Sequence, residues 1–588
     1  MQSYSVDRMR ANRKELFRGA LMLQTHERND SATAPSAARS AAEDAGWWRG
    51  AVIYQVYPRS FADTNGDGIG DLPGVLAKLD YIASLGVDAI WLSPFFKSPM
   101  KDFGYDISAY RQVDPIFGSL EDFDRLVAAA HQKGLRIVID QVLNHTSDQH
   151  AWFQESRGSR DNPKADWYVW ADPKPDGTPP NNWLSIFGGS AWQWEPRRGQ
   201  YYLHNFLVSQ PDLNYHNPAV AAQMLEEAEF WLARGVDGFR LDAINFCFHD
   251  PLLRDNPAKP ASERKGRGFR IDNPYAYQVH LYDNTQPQNH AFLESLRALM
   301  DRYTPAVALG EVSAEDAVEA IVQYTAGSRR LHMAYNFELL VDDFSAAHVR
   351  EAVATLAARC PDCWPCWAIG NHDVARVASR WGDGAGVATR AKLFNALLLS
   401  LRGTACSYQG EELGLTQAEL PDALLQDPYG LAFWPLFKGR DGCRTPMPWD
   451  EREPNGGFSA GRPWLPVPAE HLALAVRRQE ADPDSVLNAY RAFLRWRQGL
   501  PALRSGTIRL FEAARDTLVF VREHAGVAIA CCFNFGARPA EVRLPPHGSL
   551  VPLVGHGFAP SRFGRGAVTV PAHGAFYATL HADASPAA

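Results

Sequence analysis

The feature that most constrains the fold is an alternation between short apolar runs and stretches of helical periodicity, which begins near residue 50 and continues to about residue 410. A glycine usually stands just after the helical stretch, where helices commonly end. Apolar strands separated by helices are typical of a parallel sheet, and eight such units predict a closed (β/α)8 barrel, the TIM barrel. The predicted strands are 52–57, 89–93, 136–140, 238–242, 306–311, 332–337, 367–371 and 405–409.

Two connections between these units are too long to be loops. Residues 144–214 follow the third predicted strand, and residues 415–485 follow the eighth. Structureless loops of such length are uncommon in compact domains, so we predict an inserted subdomain B after strand three and a smaller insertion after strand eight.

The two ends of the chain differ from its middle. Residues 1–46 include a stretch rich in Ala, Ser and Asp and are predicted to be a flexible N-terminal extension. After about residue 505 short strands alternate with turn residues, which predicts a C-terminal antiparallel β-sandwich over 505–588. The barrel is thereby assigned to 47–143 and 215–504. The predicted strands of the sandwich are 507–511, 517–522, 527–533, 541–544 and 567–570.

Charge, hydropathy and cysteine usage exclude several classes of protein. The 588-residue chain has a net charge of −8 and no obvious basic stripe, which argues against a nucleic-acid partner. It has no uninterrupted apolar window of about 18 residues, so no membrane partner is expected. Arg18 interrupts the apolar run 16–23, which argues against a signal peptide. The eight Cys are expected to be reduced thiols of a cytoplasmic protein, and Cys360-x-x-Cys363-x-x-Cys366 is not expected to bind a metal.

Acidic residues stand at the carboxyl ends of predicted strands, where the active sites of such barrels lie. Asp242 ends the fourth strand, Glu311 ends the fifth, and Asn371-His372-Asp373 ends the seventh. Asp140, with Asn144-His145 after it, closes the third. A helix cap explains any one of these acids equally well, but their convergence on one mouth of the barrel predicts a catalytic site.

Arg240 predicts that these acids differ in protonation. It stands two residues before Asp242 and therefore on the same face of the strand, where its charge keeps that carboxylate ionised. A neighbouring acid is then held protonated by like-charge repulsion. One ionised carboxylate and one protonated acid are the two catalytic groups that retaining glycoside hydrolysis requires.

Four segments resemble, in order and spacing, the signature regions of the α-amylase superfamily, the family-13 glycoside hydrolases: Asp140-Gln-Val-Leu-Asn-His145, Gly238-Phe-Arg-Leu-Asp242, Gly310-Glu311 and Asn371-His-Asp373. Two more are similar to additional signatures of its oligo-1,6-glucosidase and α-glucosidase branch: Gln210-Pro-Asp-Leu-Asn214 and Gly403-Thr-Ala-Cys-Ser-Tyr-Gln-Gly-Glu-Glu412. The resemblance covers about residues 47–580.

The resemblance implies a role for each of three acids. Asp242 is the nucleophile that forms a β-glucosyl ester, and Glu311 is first the acid and then the base. Asp373 stabilises the transition state without bonding covalently.

The resemblance also implies substrate-binding side chains. His145, Arg240 and His372 surround the first glucose, Asp102 binds its non-reducing-end hydroxyls, and Tyr105 stacks on its ring. Arg440, in Arg440-Asp-Gly-Cys-Arg-Thr-Pro-Met-Pro-Trp449, matches the usual partner of Asp102. An Arg and an Asp that close the pocket floor predict exo-action, one glucose at a time. Phe187 and Phe206, in the 144–214 segment, are predicted walls of the pocket, and core packing explains them equally well.

The segment 63–71 is typical of a hard-cation loop, because oxygen side chains alternate with glycines. An Asx- and Gly-rich turn is the alternative. The resembling branch carries Ca²⁺ or Mg²⁺ at the matching loop, so we predict a structural Ca²⁺ (or Mg²⁺) and no organic cofactor. The predicted ligands are Asp63, Asn65, Asp67, Ile69 and Asp71.

Ala243, directly after Asp242, bears on the linkage that is cleaved. In the resembling branch Val at this position accompanies α-1,6 cleavage, whereas Thr or Ala accompanies α-1,4 cleavage. The resemblance therefore implies a retaining α-1,4-glucosidase that acts on maltose and short malto-oligosaccharides, with transglucosylation as a side reaction.

Other functions stay open at this stage. On the same scaffold, the alternatives are an oligo-1,6-glucosidase, a sucrose or maltose isomerase, and a dedicated glucosyltransferase. Outside the enzymes, the alternative is a catalytically silent sugar-binding or transporter-scaffold relative, against which Asp242, Glu311 and Asp373 argue. The expected partner is a small oligosaccharide, and the chain is expected to be a monomer or a homodimer.

Overall fold

Eight parallel strands close into a barrel in the computed structural model, which describes residues 46–264, 273–303, 305–342, 344–382, 386–514, 516–546, 548–564 and 566–581. Each strand pairs with its neighbours in sequence, and the eighth closes the circle on the first, with Val52 opposite Ala405. The predicted fold class is therefore confirmed. The strands are β1 Val52–Val56, β2 Ala89–Leu92, β3 Arg136–Val142, β4 Gly238–Asp242, β5 Val307–Glu311, β6 Met333–Asn336, β7 Cys366–Ala368 and β8 Thr404–Tyr408.

Successive residues of the barrel strands point to opposite sides, as the two-residue period of a strand requires. Ile53 and Trp91 belong to one buried cluster, which fills the barrel, whereas Val52 and Ile90 belong to a second cluster between strands and helices. The strands are buried on both faces, which explains why they read as continuous apolar runs.

Helices cover the outside of the barrel. The helix Leu120–Gln132 shows why they form: Ser119 and Asp122 make a capping box at its start, and Phe123, Leu126 and Val127 are buried on one face. The helices between or after barrel strands are Leu72–Ala77, Leu79–Leu85, Leu120–Gln132, Pro218–Leu232, Asn289–Met300, Ala317–Thr325, Ala346–Arg359, Val377–Arg380, Val387–Ser400 and Val486–Gln498.

Both long connections contain structure of their own. The segment after β3 has the helix Ala151–Ser156 and an antiparallel sheet of Trp170–Ala171, Gln200–Leu203 and Trp192–Glu195. The segment after β8 has the short helices Pro428–Phe433, Ala469–Leu472 and Val476–Glu480. A further antiparallel pair, Phe96–Lys97 with Ala109–Val113, follows β2.

Two antiparallel sheets pack face to face after the helix Pro501–Ser505. Val519 and Cys532 of one sheet share a buried cluster with Val542 and Val568 of the other. The first sheet has, in order, Thr507–Phe511, Thr517–His524, Val527–Asn534, Gly574–His581 and Ser549–Pro552, and the second has Ala540–Arg543, Ala567–Val570 and Arg562–Gly564. The sequence-based prediction does not include 549–552, 562–564 and 574–581; the first two are short and largely exposed, so they show no apolar alternation.

Several sequence-based expectations are corrected by the structure. The strand β3 continues to Val142, so Asp140 lies inside it and does not close it. The strand β7 ends at Ala368, so 371–373 lies in the loop beyond it. Cys360 and Cys363 form a disulfide across the turn after helix Ala346–Arg359, with their Cα atoms 5.2 Å apart, so the expectation of reduced thiols is wrong for this pair.

Two expectations concern the ends of the chain and its relation to membranes. The predicted extension 1–46 lies outside the described residues apart from Gly46. Within the part of the chain that the structure describes, no helix has the length and apolar character needed to cross a bilayer.

Candidate active site

A cavity of about 120 Å³ opens at the carboxyl ends of the barrel strands. Side chains from the strand ends, the segment after β2 and both long insertions line it. It brings together every predicted catalytic and substrate-binding residue except Arg240, which lies beneath it: Asp102, Tyr105, His145, Phe187, Phe206, Asp242, Glu311, His372, Asp373 and Arg440.

Arg240 binds three carboxylates from beneath the cavity. Its Nη1 donates to Asp140 at 2.9 Å and to Asp242 at 2.6 Å, and its Nη2 lies 2.5 Å from Glu311. The side chain is buried at 1% exposure, so its charge acts in a medium where ion pairs are strong. One guanidinium therefore fixes the positions of Asp242 and Glu311, the predicted nucleophile and the predicted acid.

The two acids differ in how readily they hold a proton. Burial raises the pKa of Asp242 to about 7 against the opposing charge of Arg240. Burial also raises the pKa of Glu311 to about 8, with Arg240 again opposing. The pKa of Glu311 is the higher of the two, so between about pH 7 and pH 8 Glu311 is protonated while Asp242 is ionised. The pair thus offers one protonated acid and one carboxylate held by a cation.

Asp373 is held ionised. Burial acts to raise its pKa, but His372, Arg440 and Arg444 lower it well below the ordinary range. Burial also lowers the pKa of His372 to about 3, so that ring is neutral at pH 7 and the two arginines supply the charge. Arg440 Nη1 donates to Asp373 Oδ1 at 3.0 Å, and Arg444 Nη2 donates to the same oxygen at 2.9 Å.

A second ion-pair network closes one side of the cavity. Arg440 Nη2 donates to Asp102 Oδ1 at 2.9 Å, while Gln210 donates to the other Asp102 oxygen at 3.0 Å. The guanidinium of Arg440 also lies over the Phe187 ring, 5.1 Å from its centroid. Asp102 and Arg440 are both buried, so they form a fixed wall.

Asp427, which does not line the cavity, positions Arg440. It is fully buried and accepts from the backbone N–H of Arg440 at 2.8 Å, from Nε at 3.0 Å and from Nη2 at 2.7 Å. It also caps the helix Pro428–Phe433 by accepting from Tyr429 and Gly430, and that helix places Tyr429 in the cavity wall. Burial opposes ionisation of Asp427, but Arg440 and Arg444 hold its pKa below the ordinary value.

Asp427→Asn is expected to raise KM for a glucoside substrate about tenfold, with a smaller fall in kcat. The amide still caps the helix but loses the charge that orients Arg440, and a hydrogen bond to a charged group contributes about 1.5–3 kcal/mol. Steady-state kinetics measure the effect, and Asp422→Asn, an exposed acid of the same insertion, is the control. Unchanged KM in the Asp427 variant would show that Arg440 needs no such support.

Tyr105 and His372 form the side of the cavity next to Asp140. Their rings stack in parallel with centroids 5.3 Å apart, and the Tyr105 hydroxyl donates to Asp140 at 2.9 Å. His372 Nε2 lies 2.7 Å from the same hydroxyl, and Gln55 contacts His372 Nδ1 at 2.8 Å. Since Gln55 is the donor in that contact, the proton of His372 is on Nε2.

His145 is held by backbone and amide groups. Its Nδ1 contacts Asn144 Oδ1 at 2.9 Å, and its Nε2 lies 3.2 Å from both the Tyr105 carbonyl and Gln210 Nε2. Burial lowers the pKa of His145 to about 3, so it is a neutral hydrogen-bonding group at the cavity wall.

Aromatic rings from the two insertions meet at the mouth. Phe187 stacks on Tyr429 with centroids 5.0 Å apart, and Phe206 packs between Phe187 and His145. Asn273 Nδ2 donates to the Tyr429 hydroxyl at 3.1 Å. Both predicted wall residues thus line the cavity together with a third ring, Tyr429.

The backbone just after β4 adopts an unusual conformation. Ala243 has φ 43° and ψ 37°, the left-handed region that L-residues other than Gly, Asn and Asp seldom visit. Its N–H donates to Glu311 Oε2 at 3.1 Å. The turn therefore ties the residue after Asp242 to the second acid. On the adjacent strand, a Cβ on Gly310 would lie 2.4 Å from Leu331 Cδ1, so a larger residue directly before Glu311 would force the buried Leu331 side chain to move.

The loop 63–71 is folded by its own acids. Asp63 accepts from the backbone N–H groups of Asn65, Gly66 and Gly68, and Asp67 accepts from Ile69 at 2.8 Å. Asp71 accepts from Thr64 and caps the helix Leu72–Ala77. Among the described residues, no three His, Cys, Asp or Glu side chains form a metal-ligand cluster.

Sequence reasoning missed four residues of the site. Gln210 and Arg444 lie in the segments 210–214 and 440–449, which resemble family motifs, so those motifs indicate that both residues belong to the site. Asp427 and Tyr429 stand in the insertion after β8, where no local pattern distinguishes them from other polar and aromatic residues.

The chain is similar to known proteins over most of its length. The family model described as alpha amylase, catalytic domain, matches residues 55–506. A probable alpha-glucosidase of Rhizobium meliloti (strain 1021) is 57% identical over 540 residues, which cover 91% of this chain and 98% of that protein. An oligo-1,6-glucosidase of Heyndrickxia coagulans is 39% identical over 538 residues, which cover 85% of this chain and 94% of that protein.

A solved structure is similar as well. The alpha-glucosyl transfer enzyme XgtA is 61% identical and superposes with a TM-score of 0.89, covering 91% of this chain and 99% of that one.

Proposed function

The chain belongs to the α-amylase family of glycoside hydrolases, and we propose that it is a retaining, exo-acting α-glucosidase that releases glucose from the non-reducing end of short α-1,4-linked glucosides such as maltose. In this proposal Asp242 is the nucleophile, Glu311 is the acid and base, and Asp373 stabilises the transition state. Asp102, Tyr105, His145, Arg240, His372 and Arg440 bind the first sugar, with Phe187 and Phe206 as walls.

The observation that carries the proposal is the attachment of Asp242 and Glu311 to neighbouring nitrogens of one guanidinium. Two carboxylates that share one buried guanidinium are held as neighbours on the same side of the cavity. Retaining enzymes hold their two carboxyl groups about 5–5.5 Å apart, whereas inverting enzymes leave about 6.5–9.5 Å for a water molecule. The arrangement therefore favours a nucleophile and an acid over an acid and a water-activating base.

The reaction proceeds in two steps. In the first, an Asp242 oxygen attacks the anomeric carbon while Glu311 gives its proton to the glycosidic oxygen, so a β-glucosyl ester forms and the aglycone leaves. In the second, Glu311 takes a proton from water, which attacks the same carbon from the other face and releases α-glucose and the Asp242 carboxylate. Asp373 remains ionised throughout and faces the positive charge that develops on the sugar ring.

The wall of Asp102 and Arg440 supports exo-action. The two side chains pair at 2.9 Å, are buried, and are further fixed by Gln210 and Asp427, so a sugar chain has no path past them. Their charged groups suit the hydroxyls of a terminal glucose, because hydrogen bonds to charged partners are the stronger ones.

One panel of substrates tests the function. Maltose, isomaltose, sucrose, trehalose and starch are incubated separately and the products resolved by chromatography and NMR. We expect free glucose from maltose, with the α-anomer formed first. Predominant hydrolysis of isomaltose would make the chain an oligo-1,6-glucosidase, and rearranged disaccharides would make it an isomerase.

Ala243→Val is expected to destabilise the protein by about 1–2 kcal/mol, because a β-branched side chain is strained in the left-handed region. It is also expected to raise the ratio of isomaltose to maltose kcat/KM about tenfold, since a methyl or two in a pocket discriminates on that scale. Thermal melts and kinetics on both disaccharides measure the two effects. Ala243→Gly is the matched control, in which strain is relieved and the maltose preference is kept.

Transfer of glucose to acceptors other than water is the proposed side reaction. The β-glucosyl ester on Asp242 accepts any hydroxyl that reaches the mouth of the cavity, and the name of XgtA, an alpha-glucosyl transfer enzyme at 61% identity, supports it. Maltose at high concentration is therefore expected to yield trisaccharides early in the reaction.

The loop 63–71 is proposed to hold Ca²⁺ or Mg²⁺. Its donors are all oxygens, as these cations prefer, and the exposed side chains of Asn65 and Asp67 each accept one backbone N–H, which leaves a second lone pair on Asn65 Oδ1 and a second carboxylate oxygen on Asp67. Asp63, Asn65, Asp67, the Ile69 carbonyl and Asp71 are the residues that would bind the ion, which would neutralise their charge and brace the loop.

Chelation is expected to lower Tm by about 5 °C, with recovery on addition of Ca²⁺ or Mg²⁺, because an ion bound only to the folded state stabilises it by mass action. The measurement is a thermal melt with and without EDTA. Asp67→Asn is the informative variant, since its amide oxygen still accepts from Ile69 but its charge is lost. The same response to EDTA in this variant would contradict the proposed site.

The cytoplasm is proposed as the location. Six of the eight Cys are buried and unpaired, which suits a reducing compartment, although Cys360 and Cys363 are joined. Fractionation of cells that produce the protein tests this proposal.

A further inference from the structure

A second cavity, of about 170 Å³, lies at the opposite end of the barrel from the proposed active site. Its walls come from residues just before the barrel strands: Trp48 and Arg49 precede β1, Ala306 precedes β5, and His332 precedes β6. Arg297, near the end of helix Asn289–Met300, completes the wall. None of the residues assigned to catalysis or to the cation loop lines this cavity.

Two guanidinium groups, those of Arg49 and Arg297, line this cavity. Burial lowers the pKa of Arg49, and the nearby charge of Arg297 lowers it further. The backbone N–H of Arg49 donates to the Gly46 carbonyl at 3.0 Å, but within the described ranges no hydrogen bond or ion pair joins its guanidinium to another residue. Its guanidinium instead lies over the Trp48 ring, 4.1 Å from the centroid. A fold that brings two like charges together and leaves one unpaired has an unbalanced positive potential at that point.

His332 contributes an N–H group to the same space. Its Nδ1 accepts from the backbone N–H of Ala308 at 3.0 Å, so the ring proton is on Nε2. Burial first, and then Arg297 and Arg49, lower the pKa of His332 to about 3, which keeps the ring neutral at pH 7. The ring meets Trp48 edge-on, with centroids 5.5 Å apart, and so has a fixed orientation.

Asp301 and Asp362 also line the cavity, but neither makes an ion pair with Arg49 among the described contacts. Asp301 accepts a hydrogen bond from Arg297 Nε at 2.7 Å, and Arg297 Nη1 donates to the Arg330 carbonyl. The Nη2 group of Arg297 is then available to a further acceptor. Asp362 is exposed, and its charge acts on Arg402. Arg297 is thus paired with Asp301, whereas the guanidinium of Arg49 has no paired acid among the described residues.

We propose that this cavity binds a tetrahedral oxyanion, a phosphate or a phosphate monoester. Arginine presents a planar set of donors that matches phosphate oxygens, and charge-assisted hydrogen bonds of this kind are the strong ones. Arg49 and Arg297 would bind two oxygens and the Nε2–H of His332 a third. The bound anion would remove the repulsion between the two guanidinium groups.

The test is a titration of the full-length enzyme with inorganic phosphate, in buffer that contains about 0.15 M chloride to screen weak surface binding. We expect one saturable site with a Kd at or below about 1 mM. Arg49→Met is expected to weaken binding about tenfold or more, since a hydrogen bond to a charged group is lost. Arg49 is exposed, pairs with no acid in the described part of the chain and does not line the proposed active site, so this variant is expected to fold and to retain its glucosidase activity.

Arg509→Met is the matched control, because Arg509 is also exposed and also lies over a ring, that of Phe511, 4.9 Å from its centroid. This variant is expected to bind phosphate like the wild type. Glucose 6-phosphate in a second arm distinguishes the source of the oxyanion: binding about tenfold tighter than phosphate indicates a phosphate monoester, and equal binding indicates free phosphate. No saturable binding by the wild type, or unchanged binding by Arg49→Met in both arms, would overturn the proposal.

Discussion

Asp242→Asn is expected to lower kcat/KM for maltose by about 10⁴-fold or more, because the amide cannot form the ester through which the reaction proceeds. The variant is expected to fold, since the amide oxygen still accepts from Arg240. Initial rates on maltose, together with a thermal melt, measure activity and stability separately. Asp148→Asn, an acid that pairs with Lys101 and does not line the cavity, serves as the control.

The stereochemistry of azide rescue assigns the role of Asp242. Azide added to Asp242→Gly enters the space of the lost carboxylate and attacks an α-glucoside from that side, so the product is the β-glucosyl azide. Activity near wild type in the Asn variant, or an α-configured azide product from the Gly variant, would show that another group is the nucleophile.

Glu311→Gln is expected to lower kcat/KM for maltose by about 10²–10⁴-fold, the usual contribution of a proton donor. The loss should be much smaller for p-nitrophenyl α-glucoside, whose leaving group needs no proton. With Glu311→Ala and azide, the anion attacks the ester on Asp242 and gives the α-glucosyl azide, opposite to the product from the Asp242 variant. A variant equally impaired on both substrates would contradict the assignment of Glu311 as the acid.

The pH profile gives an independent check on Glu311. Burial raises the pKa of Glu311 to about 8, and the group must be protonated to act as an acid. Activity is therefore expected to fall as the pH rises through about 8, and to fall also as the pH decreases through about 7, because burial raises the pKa of Asp242 to about 7 and this group must be ionised to attack. Glu311→Gln removes the titrating group, so the alkaline limb should disappear from the residual activity on p-nitrophenyl α-glucoside.

Sequence alone locates the carboxylates because they are tied to strands that the apolar pattern reveals. Asp242 and Glu311 end β4 and β5 as predicted, and the topology of a parallel barrel then forces them to one mouth. Asp140 shows the limit of this reasoning. The strand β3 runs two residues further than its apolar pattern suggests, because its last residues are buried against neighbouring strands.

The supporting residues depend on tertiary contacts that have no local signal. Asp427 is only one of many acids in the insertion after β8, and it becomes important because the chain returns there to bring Arg440 beside Asp102. The cavity at the other barrel end is a similar case. Arg49 and Arg297 are 248 residues apart, and no periodicity in the sequence indicates that both line one cavity.

The closed wall of Asp102 and Arg440 has a kinetic consequence. A polymer cannot be threaded through a pocket that ends in a buried ion pair, so each cut requires the shortened chain to leave before the trapped glucose can follow. Processive degradation is thereby excluded, and every cleavage is a separate encounter. Glucose itself occupies the place of the next terminal residue, so we expect it to act as a competitive product inhibitor. The rate of hydrolysis should therefore fall as glucose accumulates.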